Sequence, residues 1–279
     1  MTWATALLLA VLQGLTEFLP VSSSGHLALV QAFLERRSGQ PLAEALAFDI
    51  IVHLGTLLAV MFYFRADLGR MIPSLLPVSG RGAEAPERRA SRRAIAFLAI
   101  SLPPTAIIGL ALRGLAERLL HMPALVAALI GVTGLILLTT RRHSAGWGGT
   151  GGQLTWGRAL AMGAAQGLAV LPGLSRSGLT IATGLATGLS PMAAFRLSFL
   201  MSVPTIAGAA LLELSGNQAA LQTLGWPAVG AALTAALVAL AALGLLSRTL
   251  LRGRFHLFAW YCFAVAGTGI LLFSFWGGK

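Results

Sequence analysis

Apolar residues along the chain fall into blocks far longer than a soluble helix or strand needs. Ala94–Leu112, Pro123–Thr140, Trp226–Leu246 and Leu257–Trp276 are nearly free of charge. Each approaches the ~20 residues that carry a helix across a bilayer core. Ala47–Phe64 and Pro191–Leu214 are of the same kind. Two further apolar regions are interrupted. Thr2–Leu19 is broken by Pro-Val-Ser-Ser-Ser-Gly-His before a short apolar stretch, Leu27–Leu34. Ala159–Leu171 is broken by Pro-Gly-Leu-Ser-Arg-Ser-Gly before Leu179–Leu189. Each half is too short to span alone, and lipid cannot satisfy the backbone groups freed at a break. The pattern predicts two re-entrant helix–break–helix hairpins packed against protein.

The two breaks are copies of one another. Gln13-Gly14-Leu15 recurs as Gln166-Gly167-Leu168, and Ser22-Ser23-Ser24-Gly25 as Ser175-Arg176-Ser177-Gly178, both at an offset of 153 residues. Ala47-Phe48 is echoed more weakly by Ala194-Phe195. Three full spans follow each hairpin. A hairpin returns to its own side and three spans do not, so the second half is inverted relative to the first. The expected fold is therefore an all-α integral membrane protein of two inverted-topology repeats, each a re-entrant hairpin followed by three transmembrane helices. It forms one membrane domain, 1–279, with repeats at about 1–142 and 156–279 joined by the Gly-rich linker Ala145–Gly152.

Composition agrees: 56% of residues are hydrophobic and only 10% charged, against roughly 25% charged in soluble domains. The net charge of +11 does not mark a nucleic-acid partner, because the basic residues lie in short loops. On one side this topology places Arg65, Arg70, Arg81, Arg88, Arg89, Arg92, Arg93, Arg141, Arg142, Arg158, Arg248, Arg252 and Arg254. On the other it places Arg36, Arg37, Arg113, Arg118 and Lys279. The positive-inside rule makes the first side cytoplasmic and puts both termini outside. Arg176 and Arg196 fall at or near membrane depth. The apolar N-terminus lacks a basic leader and runs into Glu17, so it reads as retained structure rather than a signal peptide. Cys262, the single cysteine, offers neither a disulfide nor a thiolate metal site. Trp3, Trp226, Trp260 and Trp276 suit an interfacial belt. Pro103, Pro104 and Pro204 are expected to kink their helices. His121, His143 and His256 read as water- or headgroup-facing.

The chemistry gathers at the breaks. Gln13 and Glu17 share one helix face, and a carboxylate inside an apolar helix marks function unless it is a packing contact or cap. Ser22, Ser23, Ser24, Gly25 and His26 offer hydroxyls beside an imidazole. These supply either a serine nucleophile with a histidine base or a nucleophilic histidine; as plain structure the serines are helix caps. Backbone amides opening the next half-helix favour an anion. At the second break Arg176, flanked by Gly173, Ser175 and Ser177, presents a planar fork that matches phosphate oxygens. Thr180 adds a hydroxyl. Arg176 can equally pair with Glu17 to hold the tips together, and both roles are compatible. Asp49 and His53, four apart, form either an orienting pair beside the site or a structural one.

Gln13-Gly14-Leu15-Thr16-Glu17 through His26, and Pro172-Gly173-Leu174-Ser175-Arg176-Ser177, resemble the two signature motifs of bacterial undecaprenyl-diphosphate phosphatases, also called bacitracin-resistance proteins. The resemblance extends over the whole chain in length and span order. It implies hydrolysis of undecaprenyl diphosphate to the monophosphate, recycling the carrier lipid for peptidoglycan synthesis. It also implies a divalent cation, Mg²⁺ or Ca²⁺, a bacterial plasma-membrane location, and a site open to the outer face. Gln13 stands where many members have Glu, leaving Glu17 as the main metal ligand. Asp49 stands where the family usually has an acidic residue, and His53 where Gln is frequent. The mechanism expected is attack by Ser23 with His26 as base, or by His26 itself, with Arg176 and the cation on the phosphates. Two other classes fit parts of the pattern. A lipid-phosphate transporter or flippase would share the repeats and broken helices. A phosphatidic-acid-type phosphatase would need a histidine soon after Ser175-Arg176, and none follows until His256. The oligomeric state stays open, a homodimer included.

Overall fold

The computed structural model describes residues 3–39, 45–76, 85–142, 153–216 and 226–275. The linker Ala145–Gly152 lies outside them, as do Arg81, His143, Trp276 and Lys279. Within the described residues the chain is all-helical, with no strand. The first half comprises α1 (Trp3–Phe18), α2 (Ser23–Ser38), α3 (Ala45–Tyr63), α4 (Arg65–Ser74), α5 (Pro86–Leu120) and α6 (Pro123–Thr139). The second comprises α7 (Trp156–Leu168), α8 (Arg176–Ala186), α9 (Pro191–Gly216), α10 (Trp226–Leu251) and α11 (Phe258–Phe275).

Both expected breaks are present, between α1 and α2 and between α7 and α8. By length and apolarity, α5, α6, α9, α10 and the segment ending in α11 can each cross a membrane. The sixth expected span, Ala47–Phe64, is matched by α3, after which the chain bends by 74° between Tyr63 and Arg65 and continues as α4. Arg92 Nε donates to the Ser74 carbonyl at 2.8 Å, tying the end of α4 to α5. α5 in turn outruns its expected bounds. Pro86 suits a first-turn position, where no amide is needed, and the basic residues Arg88–Arg93 join the helix rather than a loop. Pro103 and Pro104 lie inside α5, and Pro204 inside α9.

Helices from opposite halves pack in matching pairs. α1 lies on α10, α7 lies on α5, α3 meets α9, and α6 meets α11. Small residues make this possible, since association within lipid relies on close backbone approach. A Cβ on Gly14 would sit 2.7 Å from the Ala235 carbonyl oxygen, and one on Gly163 only 2.3 Å from that of Ser101. Thr105 Oγ1 bonds the carbonyls of Ser101 and Gly163, both at 2.9 Å, so α5 and α7 are also hydrogen-bonded. Phe18, directly after Glu17, meets Phe199 edge-on at 5.3 Å, and Phe199 meets Phe195 at 4.9 Å. This aromatic cluster underlies the site. Large apolar side chains such as Phe62, Leu110, Leu237 and Phe275 remain exposed around the outside. That is the surface of a protein coated by lipid. Trp3, Trp226 and Trp260 are exposed as well, as a belt requires.

Candidate active site

α1 ends at Phe18 and the chain turns through four residues before α2. Ser22 takes φ +73°, among the described residues the one non-glycine with a positive φ. A β-carbon is disfavoured there, at a cost of about 1–3 kcal/mol. The turn is held by two bonds to its hydroxyl. Ser22 Oγ accepts from Gly25 N at 3.2 Å, capping α2, and from Gly173 N at 3.1 Å, reaching the opposite break. Gly173 itself has φ +101°, and a Cβ there would lie 2.5 Å from the Val126 carbonyl oxygen. Thr133 on α6 grips the same turn, donating to Gly173 O at 2.8 Å and accepting from Ser175 N at 3.0 Å. Ser175 Oγ then caps α8 by accepting from Gly178 N at 3.1 Å. The two tips touch at backbone level: a Cβ on Gly25 would come within 2.9 Å of Gly173 Cα.

Glu17 stands at this junction with both oxygens engaged. Oε1 accepts from Arg176 Nη2 at 2.6 Å. Oε2 accepts from Ser23 Oγ at 2.6 Å and from Gln13 Nε2 at 2.9 Å, and His53 Nε2 lies 3.7 Å away. The pair Glu17–Arg176 is nearly sealed from solvent, with side chains 5% and 14% exposed. Removing one partner of a buried pair costs about 3–5 kcal/mol, because the other is left uncompensated. Arg176 Nη1 is buried and donates to no described group. Nor do the main-chain amides of Ser23, Ser24, Arg176 and Ser177, which the caps leave over at the starts of α2 and α8. The arrangement joins a carboxylate-bonded hydroxyl to spare cationic and amide donors, which suits an anion with several oxygens.

Ser23 gives its proton to Glu17 and not to His26. The imidazole is held elsewhere: Nδ1 lies 2.8 Å from the Ser22 carbonyl, which can only accept, and Nε2 lies 3.0 Å from Tyr261 Oη. Nδ1 therefore bears the proton and Nε2 accepts from the tyrosine. The rings stack at 5.6 Å and 8°. Thr180, expected to offer a hydroxyl, donates to Arg176 O at 2.7 Å and meets Ser198 Oγ at 2.6 Å, so it braces the first turn of α8 against α9. Ser177 likewise donates to Leu19 O at 3.3 Å, linking the tips. Ser24 is half-buried and bonds to no described side chain. The Asp49–His53 contact runs through the main chain, His53 Nδ1 to Asp49 O at 2.6 Å, while the Asp49 carboxylate takes Gln31 Nε2 at 3.1 Å. His53 thus reaches Glu17, and Asp49 braces α2.

Tyr261, Thr133, Gln31 and Ser198 were not anticipated. Tyr261, Gln31 and Thr133 are polar residues inside apolar runs, the signal that singled out Glu17. Ser198 leaves no such mark, since a lone serine in a membrane helix ordinarily bonds its own backbone.

Among the described residues no three His, Cys, Asp or Glu side chains cluster as metal ligands. One buried oxygen is nonetheless orphaned beside the carboxylate, Gln13 Oε1. A carboxylate with a spare amide oxygen is too little for a closed cage. It fits a hard cation that keeps most of its water and arrives with phosphate, as Mg²⁺ commonly does.

The sequence matches the family model "Bacitracin resistance protein BacA" over residues 6–268. It is 44% identical to an undecaprenyl-diphosphatase of Desulfosudis oleivorans, covering 93% of this chain and 94% of that one. It is 42% identical to one of Desulforapulum autotrophicum, covering 94% and 95%. A third, from Korarchaeum cryptofilum, is 38% identical over 96% and 98%. Both signature motifs lie within the matched region, at the junction where α1, α2 and α8 meet, and the chain belongs to the bacitracin resistance protein BacA family.

Proposed function

We propose that this multi-pass membrane protein hydrolyses undecaprenyl diphosphate to undecaprenyl phosphate and inorganic phosphate, returning the carrier lipid to peptidoglycan synthesis. The relatives named for that activity match nearly end to end. The observation that carries the chemistry is the Glu17 carboxylate, bonded at once to the Ser23 hydroxyl and the Arg176 guanidinium.

The terminal phosphate enters against Arg176 Nη1 and the spare amides of α2 and α8. Ser23 Oγ passes its proton to Glu17 Oε2 and attacks the terminal phosphorus, and the bridging P–O bond breaks. Undecaprenyl phosphate leaves and phosphoserine remains. Charge grows on the leaving side, where pre-placed donors stabilise it without reorganising. Water then attacks the phosphoserine while His26 Nε2 takes its proton in exchange for the Tyr261 bond. Ser23 leaves as the hydroxyl on taking back the proton held by Glu17, and the imidazole passes its proton to the departing phosphate. Mg²⁺ or Ca²⁺, held by Glu17 with Gln13 Oε1, would neutralise diphosphate charge. His26 lies one helical turn from Ser23 on the same face of α2.

The matching pairs α1–α10 and α7–α5 support two inverted repeats, about 1–142 and 156–279, with the broken helices entering as re-entrant hairpins. The distribution of loop arginines supports a plasma-membrane orientation with both termini and the site on the outer side.

Phosphate release in detergent tests the reading, because hydrolysis needs no second compartment whereas transport does. Wild type is expected to release phosphate, and Glu17→Ala, His26→Ala and Arg176→Ala to be impaired. Near-normal rates in all three variants would overturn the site. Trapped phospho-enzyme should map to Ser23; label on His26 would make the imidazole the nucleophile.

A further inference from the structure

His26 stands at the inner end of an apolar groove between α2 and α11. Leu29, Val30 and Phe33 form one wall, and a stripe of α11 from Tyr261 to Phe273 forms the other, enclosing about 360 Å³. The stripe falls at three- and four-residue spacing, one helix face. At 1.5 Å per residue it runs for about 18 Å. Gly269 keeps the groove narrow, since a Cβ there would touch Ala127 at 2.8 Å and Leu29 at 3.5 Å. Tyr261 belongs to both structures. Its ring lines the groove, and its hydroxyl bonds His26 Nε2 at 3.0 Å.

We propose that this groove seats the isoprenoid chain next to the diphosphate, with Tyr261 as the residue that joins chain seat to imidazole. The proposal rests on the phosphatase reading and adds to it the place where the lipid is recognised. A diphosphate at the junction of Glu17 and Arg176 needs an apolar exit for its tail, and a wall of the groove begins at the tyrosine bonded to His26. Walls that are apolar apart from Tyr261 and Thr268 suit a branched hydrocarbon and offer nothing to a headgroup. The hydroxyl of Tyr261 makes it a positioning residue, because it acts on the reaction through His26.

The test compares undecaprenyl diphosphate with dimethylallyl diphosphate, whose single isoprene unit reaches only the start of the groove at Tyr261 and leaves the stretch past Ala264 empty. Ala264 and Thr268 line the groove from exposed positions, so a tryptophan at either fills it without entering the core. Ala264→Trp and Thr268→Trp are expected to lower the kcat/KM preference for the long substrate at least about tenfold. Leu271→Trp, on the exposed face of α11 outside the groove, should keep the wild-type preference. Tyr261→Phe preserves the wall and removes the hydroxyl. It should lower kcat on both substrates about tenfold while leaving the long-substrate KM unmoved. If the groove holds only the acyl chains of bulk lipid, both filling variants will keep the wild-type preference and the seat is overturned. An unchanged kcat in Tyr261→Phe overturns the join. Wild-type protein that hydrolyses neither diphosphate overturns the phosphatase reading itself, which these variants otherwise leave standing.

Discussion

The two breaks share a frame and divide the chemistry. At equivalent places Ser22 caps α2 and Ser175 caps α8, by bonds of 3.2 and 3.1 Å to the amide three residues on. Gln13 and Gln166 are both buried, each with an orphan Oε1. There the likeness stops. Where the first break has Glu17, Ser23 and His26, the second has Val170, Arg176 and Leu179. Gln13 turns to the carboxylate, whereas Gln166 donates to Thr205 at 2.9 Å and serves packing. One tip thus holds the carboxylate, the hydroxyl and the imidazole, and the other the guanidinium. Neither half of the chain alone brings these groups together. The cap is the part that a helix start requires at either break, and the other positions carry different groups.

The sharpest way to break this division is at the cation. Arg176→Ala should cut kcat/KM by about a thousandfold or more, since a charge-assisted donor to the phosphates goes and Glu17 is left bare. Arg176→Lys should fall between, because an ammonium cannot reproduce the fork. Phosphate release on the purified protein measures both. Next comes the acid. Glu17→Gln should lower kcat by about a hundredfold or more, and phospho-enzyme should form too slowly to trap by rapid quench.

The glycine contact ranks third and concerns stability. Gly173→Ala places a Cβ 2.5 Å from a carbonyl at φ +101°, so detergent unfolding should show a loss of about 2–4 kcal/mol. The two glutamines give the finest comparison. Gln13→Leu should lower kcat about tenfold and raise the cation concentration needed for half-maximal rate. Gln166→Leu should leave the rate within about threefold and change stability by about 1 kcal/mol. Equal rate losses from both would show that the second glutamine shares the chemistry. The smallest effect belongs to the cap: Ser175→Ala should cost about 1 kcal/mol with the rate preserved.

Much of this plan is legible along the chain because membranes punish ambiguity. A proline and serines in an apolar run must mark a break, and Glu17 at depth must find a partner. Arg176 was the visible candidate. The long blocks likewise located α5, α6, α9, α10 and α11. The end of α3 was legible at Phe64, but its continuation as α4 was not, since Arg65 and Arg70 read as loop charges. The extension of α5 to Pro86 was hidden for a related reason: arginines that signal a loop are also good helix formers. Within the site, sequence gives residue types and not the direction of hydrogen bonds. Ser23 and His26 lie on one helical face, and only the fold shows that the first turns to Glu17 and the second to Tyr261, on a helix more than two hundred residues away.

The bond between Glu17 and Arg176 also sets a threshold for what the site accepts. An arriving anion meets a guanidinium already neutralised by an internal rival, at 2.6 Å. A phosphodiester headgroup, with one negative charge, gains little by displacing a carboxylate of equal charge. A diphosphate brings more charge and more oxygens, and can use the spare nitrogen while the rival stays in place. In a membrane crowded with phospholipids, a site of the proposed kind would use that internal competition as a charge filter against singly charged phosphates.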